Sequence, residues 1–420
     1  MKLYRKQKYC RNCGCDKLKT ILDLGFIYPS TFVDANSNVR KAPLVLVKCE
    51  NCGLTQLNHT VNLDLMYRNY WYQSGLNDEM VGHLKDIFDN VNRIIELKQG
   101  DVIVDIGAND GTLLDFYPDS LVKIAFEPSL VFSPILSKKC YHVITDYFDS
   151  SLYWYPSKAK VVTAIAVFYD LPNPNEFIRG VHSILDDDGI FVIQFSDLYD
   201  MIKYNDFSSI CHEHLEYYDL EIAIKLLEQN GFSVFDVQRN KVNGGSLRIL
   251  ADKHKREKSK NIELELKKER DFFNKYSVID FGVNIARFGV EIRSFIRKKL
   301  KEGKTFYILG AGTKGNTILQ YYKLNNKLIK GAADINPAKW GLKTVGTNIP
   351  IMSDDDVFSK NPDYMIVLPW FFINNFITKY HEYIKNGGIF LVPLPEPALV
   401  TNQGWKDLNE VNLEGDYLWA

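Results

Sequence analysis

A short β-branched run that passes directly into a glycine turn most constrains how this chain can fold. Residues 102–106 are Val-Ile-Val-Asp-Ile, Gly107 and Gly111 follow, and apolar residues at helical spacing begin at Leu113. This order predicts a strand, a tight turn and a helix, with a ligand crevice beyond the carboxyl end of the strand. The spacing differs from the Gly-x-Gly-x-x-Gly of dinucleotide sites, and Asp105 at the strand end would repel a phosphate but not a cation.

Two further acids follow the next predicted strands. Glu127 ends the run 123–126, where a carboxylate can accept hydrogen bonds from both hydroxyls of a ribose. Asp146 stands beside two aromatic residues, which suits an adenine. A sheet strand without a ligand is the alternative, but the three positions in order resemble the class I S-adenosylmethionine-dependent methyltransferases. The resemblance implies a cofactor site formed by Asp105, Gly107, Asn109, Asp110, Gly111, Glu127, Pro128, Asp146, Tyr147 and Phe148.

Four of the seven cysteines form two Cys-x-x-Cys-Gly pairs, Cys10 with Cys13 and Cys49 with Cys52. Each pair offers two thiolates to one ion and the glycine permits the tight turn, so the pairs predict a four-sulfur zinc site. Such a site has no open position for water, and we expect structural Zn²⁺. The loop between the pairs is apolar and aromatic rather than basic, which argues against nucleic-acid binding. We expect this loop to form a cap that covers the substrate.

Length and charge narrow the possible functions. A chain of 420 residues, 46% of them hydrophobic, can form two or three domains with cores. Its net charge of −1 predicts neither nucleic acid nor a membrane surface as a main partner. Apolar runs stay short of the roughly 18 residues that span a bilayer, and the N-terminus lacks a signal-peptide core. We expect a cytoplasmic monomer or weak homodimer.

A second group of ionisable residues lies in the stretch Cys211-His212-Glu213-His214. Its spacing excludes the His-Glu-x-x-His motif of zinc proteases. Two of the eight histidines beside a glutamate predict a base that works near neutral pH, and a polar surface loop is the alternative. The run 161–170 predicts a buried strand that brings Asp170 to the same crevice.

A second α/β unit begins at about residue 304. Residues 305–309 are a predicted strand, Gly310-Ala311-Gly312-Thr313-Lys314-Gly315 follows, and Asp334 comes about twenty residues later. On its own this pattern is typical of an NAD site. Lys314 inside the turn could instead hold the phosphate of a nucleotide sugar. The charge-rich segment 253–270 predicts a solvated helix that bridges the two units.

Together these motifs resemble the deoxysugar C-methyltransferases of antibiotic and surface-polysaccharide biosynthesis. The matching motifs are the paired Cys-x-x-Cys-Gly, Tyr70–Gly75, Asp105–Gly111, His212–His214, Gly310–Asn316 and Leu368–Trp370. The resemblance implies an α/β protein of four parts. These are a zinc-binding domain (1–65), a central class I methyltransferase Rossmann-like domain (66–252), a helical linker (253–303) and a second Rossmann-like domain (304–420) that holds a nucleotide sugar without NAD.

The resemblance also implies roles. His214 is the expected base that removes a proton next to a keto group, Glu213 is its neighbour, and His212 belongs to the same loop. Tyr72 is a candidate phenol contact, although its tyrosine-rich surroundings are typical of packing. The expected substrate contacts are Lys314, Asn316 and Asn243.

The chain departs from the family at two candidate catalytic positions. Cys211 stands where the family has a tyrosine, and Asp170 where it has a histidine. A cysteine is a poorer hydrogen-bond partner for an enolate oxygen, and an ionised aspartate would repel it. Both departures count against methylation at carbon 3 of a 4-keto sugar. The motifs taken together still favour C-methylation of a nucleotide sugar with S-adenosylmethionine, and O-methylation is the runner-up. An NAD-dependent oxidoreductase and a non-catalytic zinc-ribbon binding protein are less favoured.

Overall fold

The structure is a computed structural model that describes residues 3–34, 37–68, 70, 72–254 and 256–411. The described residues form two seven-stranded sheets, a four-stranded sheet and two separate strand pairs. This architecture confirms the predicted fold class, an α/β protein in which an N-terminal zinc-binding domain precedes two Rossmann-like units. Trp71 of the predicted Tyr70–Gly75 motif, and the C-terminal residues 412–420, lie outside the described residues.

The N-terminal domain is a small antiparallel sheet. Its elements are β1 Tyr4–Lys6, β2 Leu18–Ile27, β3 Phe32–Val33, β4 Ala42–Cys49, β5 Thr55–Leu57, β6 His59–Val61 and α1 Asp64–Tyr67. β2, β4 and β5 pair side by side, while β1 pairs with β6. The first cysteine pair precedes β2 and the second closes β4, so the register of β2 against β4, which places Leu18 opposite Cys49, brings the two pairs together.

The central domain carries the motif that constrained the fold. Its elements are α2 Asp78–Ile94, β7 Val102–Ile106, α3 Thr112–Asp115, β8 Val122–Phe126, α4 Ser133–Leu136, β9 His142–Ile144, β10 Ala159–Ile165, α5 Pro174–Ile184, β11 Leu185–Phe195, α6 Leu198–Lys203, β12 Glu216–Tyr217, α7 Leu220–Glu228, β13 Ser233–Asn240 and β14 Ser246–Asp252. The sheet order is β13-β14-β11-β10-β7-β8-β9, parallel from β11 to β9. β8 and β9 follow β7 on one side of the sheet, and β10 then pairs with β7 on the other side. This reversal of strand order opens a ligand crevice at the carboxyl ends of β7 and β10.

One strand ends earlier than predicted. β10 stops at Ile165, whereas the sequence favoured a strand through Asp170, because Ala166 adopts a left-handed conformation with φ +59°. Residues 166–170 form a loop over the sheet edge, and Asp170 lies in that loop.

Two helices, α8 Lys260–Phe273 and α9 Val278–Lys301, connect the two large sheets. α9 buries one face at helical spacing, and the buried residues include Phe281, Ile285, Phe288, Ile292 and Phe295. This face belongs to the same core as the C-terminal sheet and β2 of the zinc domain. The predicted linker is therefore helical, but its second helix is a packed element of the core.

The C-terminal domain is a second parallel-rich sheet. Its elements are β15 Phe306–Leu309, α10 Gly315–Tyr321, β16 Ala332–Ala333, β17 Lys343–Thr344, β18 Ile351–Met352, α11 Asp354–Phe358, β19 Tyr364–Val367, α12 Ile373–Lys379, α13 His381–Lys385, β20 Ile389–Val392, β21 Ala398–Thr401 and β22 Gly404–Lys406. Its sheet order is β18-β16-β15-β19-β20-β21-β22. The carboxyl end of β15 delivers the Gly310–Gly315 turn.

The zinc domain pairs strands with both other domains. β3 pairs with β17 of the C-terminal domain, and β12 of the central domain pairs with β5. Gln320 exchanges two hydrogen bonds with the backbone of Tyr28, at 2.8 and 3.1 Å. Residues of the loop between the cysteine pairs thus contact the C-terminal domain, and a cap over the substrate stays a prediction.

Candidate active site and metal centre

The four paired cysteines converge on one point. All their sulfur atoms lie within 4.8 Å of one another, with 3.5 Å between Cys10 and Cys52 and 3.6 Å between Cys13 and Cys49. Zinc–sulfur bonds of about 2.3 Å in a tetrahedron place sulfur atoms about 3.8 Å apart, so the cluster fits zinc. Four thiolate ligands fill the coordination shell and leave zinc a structural role.

The two Cys-x-x-Cys-Gly turns, called knuckles below, have the same backbone fold. The backbone N–H of Gly14 donates to the carbonyl of Cys10 at 3.0 Å, and that of Gly53 to the carbonyl of Cys49 at 3.1 Å. Both glycines have positive φ, +73° and +81°, a conformation that side chains disfavour. Cys15 lies outside the four-sulfur cluster.

A cavity of about 1010 Å³ opens between the carboxyl edge of the central sheet and the C-terminal domain. Most of the predicted cofactor residues line it. They are Asp105, Gly107, Asn109, Glu127, Pro128, Asp146, Tyr147 and Phe148. Predicted catalytic and substrate residues also line it, namely Tyr72, Asp170, Cys211, Glu213, His214, Asn243 and Lys314.

The carboxylate of Glu127 is held in place by two backbone hydrogen bonds and can accept more. Its two carboxylate oxygens accept the backbone N–H groups of Asn109 and Ser129, each at 2.8 Å. Burial raises the pKa of Glu127, and these two backbone donors oppose that shift. Each oxygen keeps a second acceptor direction, which fits the two hydroxyls of a ribose.

Asp105 lies at the end of β7 and is buried. Its carboxylate accepts a hydrogen bond of 2.6 Å from the hydroxyl of Thr163. Burial raises the pKa of Asp105 to about 7, against the lowering effect of that hydrogen bond. A cationic ligand would favour the ionised carboxylate, so the position suits a sulfonium cofactor.

The glycine turn after β7 is held by close packing. Gly107 has φ +74°, and a Cβ there would lie 2.4 Å from a methyl carbon of Val167. Gly111 has φ +78° and starts α3. Gly107 borders the cavity, whereas Gly111 shapes the turn from outside it.

Asn109 and Asp110 hold the tyrosine-rich run over this turn. The Asn109 side chain accepts the N–H of Ser74 and donates to the carbonyl of Tyr72, both at 3.0 Å. Asp110 accepts the N–H of Gly75 at 2.8 Å and is buried away from the cavity. Asn109 therefore lines the cavity, whereas Asp110 holds the segment around Gly75 that covers the turn.

The predicted adenine position has an additional partner, Arg68. Its guanidinium forms an ion pair of 2.9 Å with Asp146 and lies 5.2 Å from the ring centre of Tyr147. Phe148 packs edge-on against Phe126, with ring centres 4.9 Å apart. The half-exposed Asp146 and the face of Phe148 therefore form the rim of this end of the cavity.

His214 has a defined tautomer. Its Nδ1 lies 2.8 Å from the carbonyl oxygen of Ser209, an acceptor only, so Nδ1 carries the proton and Nε2 is a free base. Burial lowers the pKa of His214 to about 3, and the charge of Lys314 adds to this shift. The imidazole ring packs against Tyr169 with centres 4.0 Å apart.

Two carboxyl groups accompany His214. Among the described residues, one oxygen of Asp170 and one of Glu213 are buried without a hydrogen-bond partner. Burial raises the pKa of Glu213 to about 7 and that of Asp170 well above its ordinary value. The Tyr67 hydroxyl donates to the Glu213 carbonyl at 3.1 Å. Cys211 is buried, and burial raises the pKa of its thiol.

Lys314 reaches from the C-terminal domain to two residues of the central domain, Ser209 and Asn243. Its ammonium group donates to the hydroxyl of Ser209 at 3.1 Å and to the carbonyl of Asn243 at 3.3 Å. The Ser209 hydroxyl in turn donates to Asp206 at 2.5 Å. One serine therefore fixes both the tautomer of His214 and the position of Lys314.

Besides Asp110 and Gly111, two residues predicted for catalysis or substrate binding do not reach the cavity. His212 is buried with its Nε2 3.4 Å from the carbonyl of Ala42 in the zinc domain, and burial lowers its pKa to about 4. Asn316 is buried and donates to the carbonyl of Thr31 at 3.3 Å. Both connect domains. Tyr72 does border the cavity, although its side chain is exposed.

Sequence reasoning missed Ser209, Tyr67 and a polar group on the far wall. In that group, the amide nitrogen of Gln194 lies 2.6 Å from Nε2 of His83, and Arg248 donates to the Gln194 oxygen at 3.1 Å. Both His83 and Gln194 line the cavity. Tyr67 lay within the tyrosine run, but neither motif nor spacing marked Ser209 or His83.

The acid that follows the second glycine motif is engaged within the protein. Lys339 forms a buried ion pair with Asp334 at 2.9 Å and donates to the carbonyl of Ala311 at 3.0 Å. At a dinucleotide site this acid would accept the ribose hydroxyls. Here a lysine occupies it and ties it to the glycine turn.

Comparison with known proteins agrees with this layout. Three family models match in order: "Putative zinc binding domain" over residues 10–67, "Methyltransferase domain" over 80–237 and "C-methyltransferase C-terminal domain" over 241–395. The C-methyltransferase NovU of Streptomyces niveus is 26% identical over 409 residues, which cover 93% of this chain and 96% of that protein.

Solved structures also match in part. Magnesium protoporphyrin IX methyltransferase from Synechocystis PCC 6803 aligns with a TM-score of 0.32 and 15% identity, over 41% of this chain and 81% of that one. An S-adenosylmethionine-dependent methyltransferase from Clostridium acetobutylicum aligns with a TM-score of 0.32 and 13% identity, over 40% of this chain and 89% of that one.

Within the described residues, no helix is long and apolar enough to cross a membrane.

Proposed function

Because the chain is an S-adenosylmethionine-dependent C-methyltransferase with a zinc-binding domain, we propose that its acceptor is a nucleotide-activated keto sugar. We further propose that His214 removes the proton from the acceptor carbon. The observation that carries the proposal is the free Nε2 of His214 in a cavity that also receives Lys314. S-adenosylmethionine, when bound, supplies an electrophilic methyl group on its sulfonium.

The charges of the cavity divide between its two ends. The central-domain end carries the acids Asp105, Glu127 and Asp146. The C-terminal end carries three lysines, Lys314, Lys339 and Lys379, together with the two acids Asp334 and Asp354. A cationic cofactor suits the first end and an anionic diphosphate the second. Lys339 and Lys379 are paired with Asp334 and Asp354, whereas Lys314 contacts a hydroxyl and a carbonyl, which leaves its charge available to an anionic ligand.

His214 is the proposed base. In the proposed step the C–H bond next to the keto group breaks, the proton goes to Nε2, and the electron pair moves onto the carbonyl oxygen as an enolate. The enolate carbon would then form the new C–C bond with the methyl group as the methyl–sulfur bond of the sulfonium breaks, its electron pair staying on the sulfur of the departing thioether, and the ketone is restored. Nδ1 stays bound to Ser209 throughout, so the ring keeps its orientation while the other nitrogen takes the proton.

Substrate charge would tune this base. The positive Lys314 contributes to the low pKa of His214 in the free protein. A diphosphate placed beside Lys314 offsets that charge, and an enolate favours the imidazolium, so both raise the pKa of His214 during the reaction. Burial favours the protonated forms of Asp170 and Glu213 by raising the pKa of both. A protonated carboxyl can donate a hydrogen bond to the enolate oxygen, whereas an ionised carboxylate cannot.

Titration with dTDP and UDP tests the acceptor class. We expect binding by isothermal titration calorimetry that weakens about tenfold or more in Lys314→Met, since a charged hydrogen bond contributes about 1.5–3 kcal/mol. Lys323→Met, at an exposed position of the same domain, is the matched control and should bind normally. Equal binding by both variants, or binding of NAD in place of the diphosphates, would contradict the proposed nucleotide site.

A further inference from the structure

The strand that follows the histidine loop, residues 211–214, belongs to the sheet of the zinc domain. β12, which begins two residues after His214, is the edge strand of that sheet and places Glu216 opposite Gln56 of β5. The N–H of Leu57 donates to the carbonyl of Leu215 at 2.9 Å. Movement of β5 would therefore move the strand that follows His214.

The same strand is held from the central domain. The carbonyl of Tyr169 accepts the N–H groups of Leu215 and Glu216, at 2.7 and 3.0 Å. The Tyr169 ring also packs at an angle of 42° against the His214 imidazole, and Tyr169 precedes Asp170 in the chain. Leu215 and Glu216 directly follow His214, and they join the zinc domain to the loop 166–170, which carries Asp170.

Arg11 links the zinc ligands to this junction. It follows Cys10 directly in the first knuckle, and its backbone N–H donates to the Gln56 side chain at 2.8 Å. Its guanidinium donates to the carbonyl of Leu57 at 2.8 Å and to the hydroxyl of Thr60 at 2.7 Å. The remaining guanidinium nitrogen lies 3.2 Å from the carboxylate of Glu216, and neither side chain is exposed.

A fully buried ion pair is sensitive to loss of either partner. Burial raises the pKa of Glu216, and the charge of Arg11 opposes that shift. Without Arg11 the buried carboxyl group would have no charge partner, so either Glu216 would take up a proton or the strand would shift. The guanidinium reaches Glu216 only while the knuckle holds its turn, because Arg11 lies between two zinc ligands. The state of the metal site therefore bears on the geometry of β12.

We propose that Arg11 is a positioning residue that couples the zinc site, through its ion pair with Glu216, to the placement of the His214 imidazole. Zinc thereby supports the reaction without touching substrate. Loss of zinc, or oxidation of its cysteines, would disorganise the base while the cofactor end of the cavity stays intact. This inference rests on the proposed role of His214 as the base.

The test reads His214 directly, so it does not depend on knowing the substrate. In protein labelled with ¹⁵N-histidine, the His214 side-chain signals are identified by their absence in His214→Gln. Wild type should show a single Nδ1–H tautomer. In Arg11→Met, and after zinc is removed with a chelator, we expect those signals to shift and titrate closer to the ordinary histidine pKa of about 6.5. Affinity for S-adenosylhomocysteine should change less than about twofold, since the cofactor residues lie elsewhere.

Three variants separate positioning from general stability. Arg5→Met removes an exposed guanidinium of the same domain and should match wild type. Glu216→Gln should shift His214 as Arg11→Met does. The double variant Arg11→Met/Glu216→Gln should be no worse than Arg11→Met alone, because no buried charge is left unpaired. Turnover of an accepted substrate should fall about tenfold or more in both single variants.

Two results would overturn the coupling. One is an unchanged His214 signal in folded, zinc-containing Arg11→Met. The other is joint loss of zinc and of S-adenosylhomocysteine binding in Arg11→Met and in the milder Arg11→Lys, which would make Arg11 a residue of general stability. A failure of the proposed function looks different, because wild type would then lack turnover of nucleotide sugars whatever the His214 signal shows.

Discussion

The carbonyl oxygen of Ser209 lies 2.8 Å from Nδ1 of His214 and decides which imidazole nitrogen carries the proton. The hydroxyl of the same serine accepts a hydrogen bond of 3.1 Å from Lys314 of the C-terminal domain. A single residue thus orients the proposed base and the cation nearest to it. The two groups come from different domains, so the site is complete only where those domains meet.

Replacement of His214 should abolish catalysis without weakening cofactor binding. His214→Gln keeps the size and a hydrogen-bonding group but cannot take a proton, and general bases contribute about a hundred- to ten-thousand-fold to rate. We expect kcat to fall within that range, measured as methyl transfer to the accepted sugar. His212→Gln serves as the control, since His212 faces the zinc domain. A larger loss in His212→Gln than in His214→Gln would reverse the assignment.

His214 should remain neutral over the physiological range. Its pKa of about 3 lies below the ordinary 6.5, so its contribution to stability is complete above pH 6.5 and is lost as the pH falls toward 3. In ligand-free protein, ¹⁵N NMR should show no protonation of His214 between pH 5 and 8. Lys314→Met should raise the pKa, because one cause of the shift is removed. A midpoint near 6.5 in wild type would refute the buried, neutral imidazole.

Glu127 should dominate recognition of the cofactor ribose. In Glu127→Ala the two hydrogen bonds to ribose hydroxyls are lost, and we expect affinity for S-adenosylhomocysteine to fall about ten- to a hundredfold by calorimetry. The exposed Glu96 provides the control Glu96→Ala. Equal affinities for both variants would place the ribose elsewhere in the cavity.

The zinc site should be structural. Purified protein should contain one zinc ion per chain by elemental analysis. Cys10→Ser should lose that ion and lower the thermal midpoint by about 5 °C or more, because a lost metal ligand removes several kcal/mol from the free energy of unfolding. Cys15→Ser, beside the cluster but outside it, should retain both zinc and stability. Full zinc in Cys10→Ser would contradict the four-sulfur assignment.

The sequence was most informative where function follows from local order. Asp105 and Glu127 could be placed at the cavity because residues at the carboxyl ends of neighbouring parallel strands share one edge. The cysteine pairs could be matched because four thiolates at that spacing have one common arrangement. In both cases a short pattern fixes the position of the side chain.

Long-range packing decided the rest. Asp110 belongs to the glycine motif, yet its carboxylate turns inward to hold Gly75. His212 and His214 are two residues apart and face different domains, because the strand that follows them joins the sheet of the zinc domain. Asp110 and Gly75 are 35 positions apart, and His212 and Ala42 are 170 apart, so no local pattern records these contacts.

Solvent deuterium exchange reports directly on whether His214 forms an enolate. A nucleotide keto sugar is incubated in D₂O with enzyme and S-adenosylhomocysteine, so that deprotonation can proceed without methyl transfer, and deuterium at the carbon next to the keto group is followed by NMR. The account predicts exchange with wild type and none above background with His214→Gln. Methyl transfer to that sugar without any exchange, or exchange that persists in His214→Gln, would contradict an enolate formed by His214.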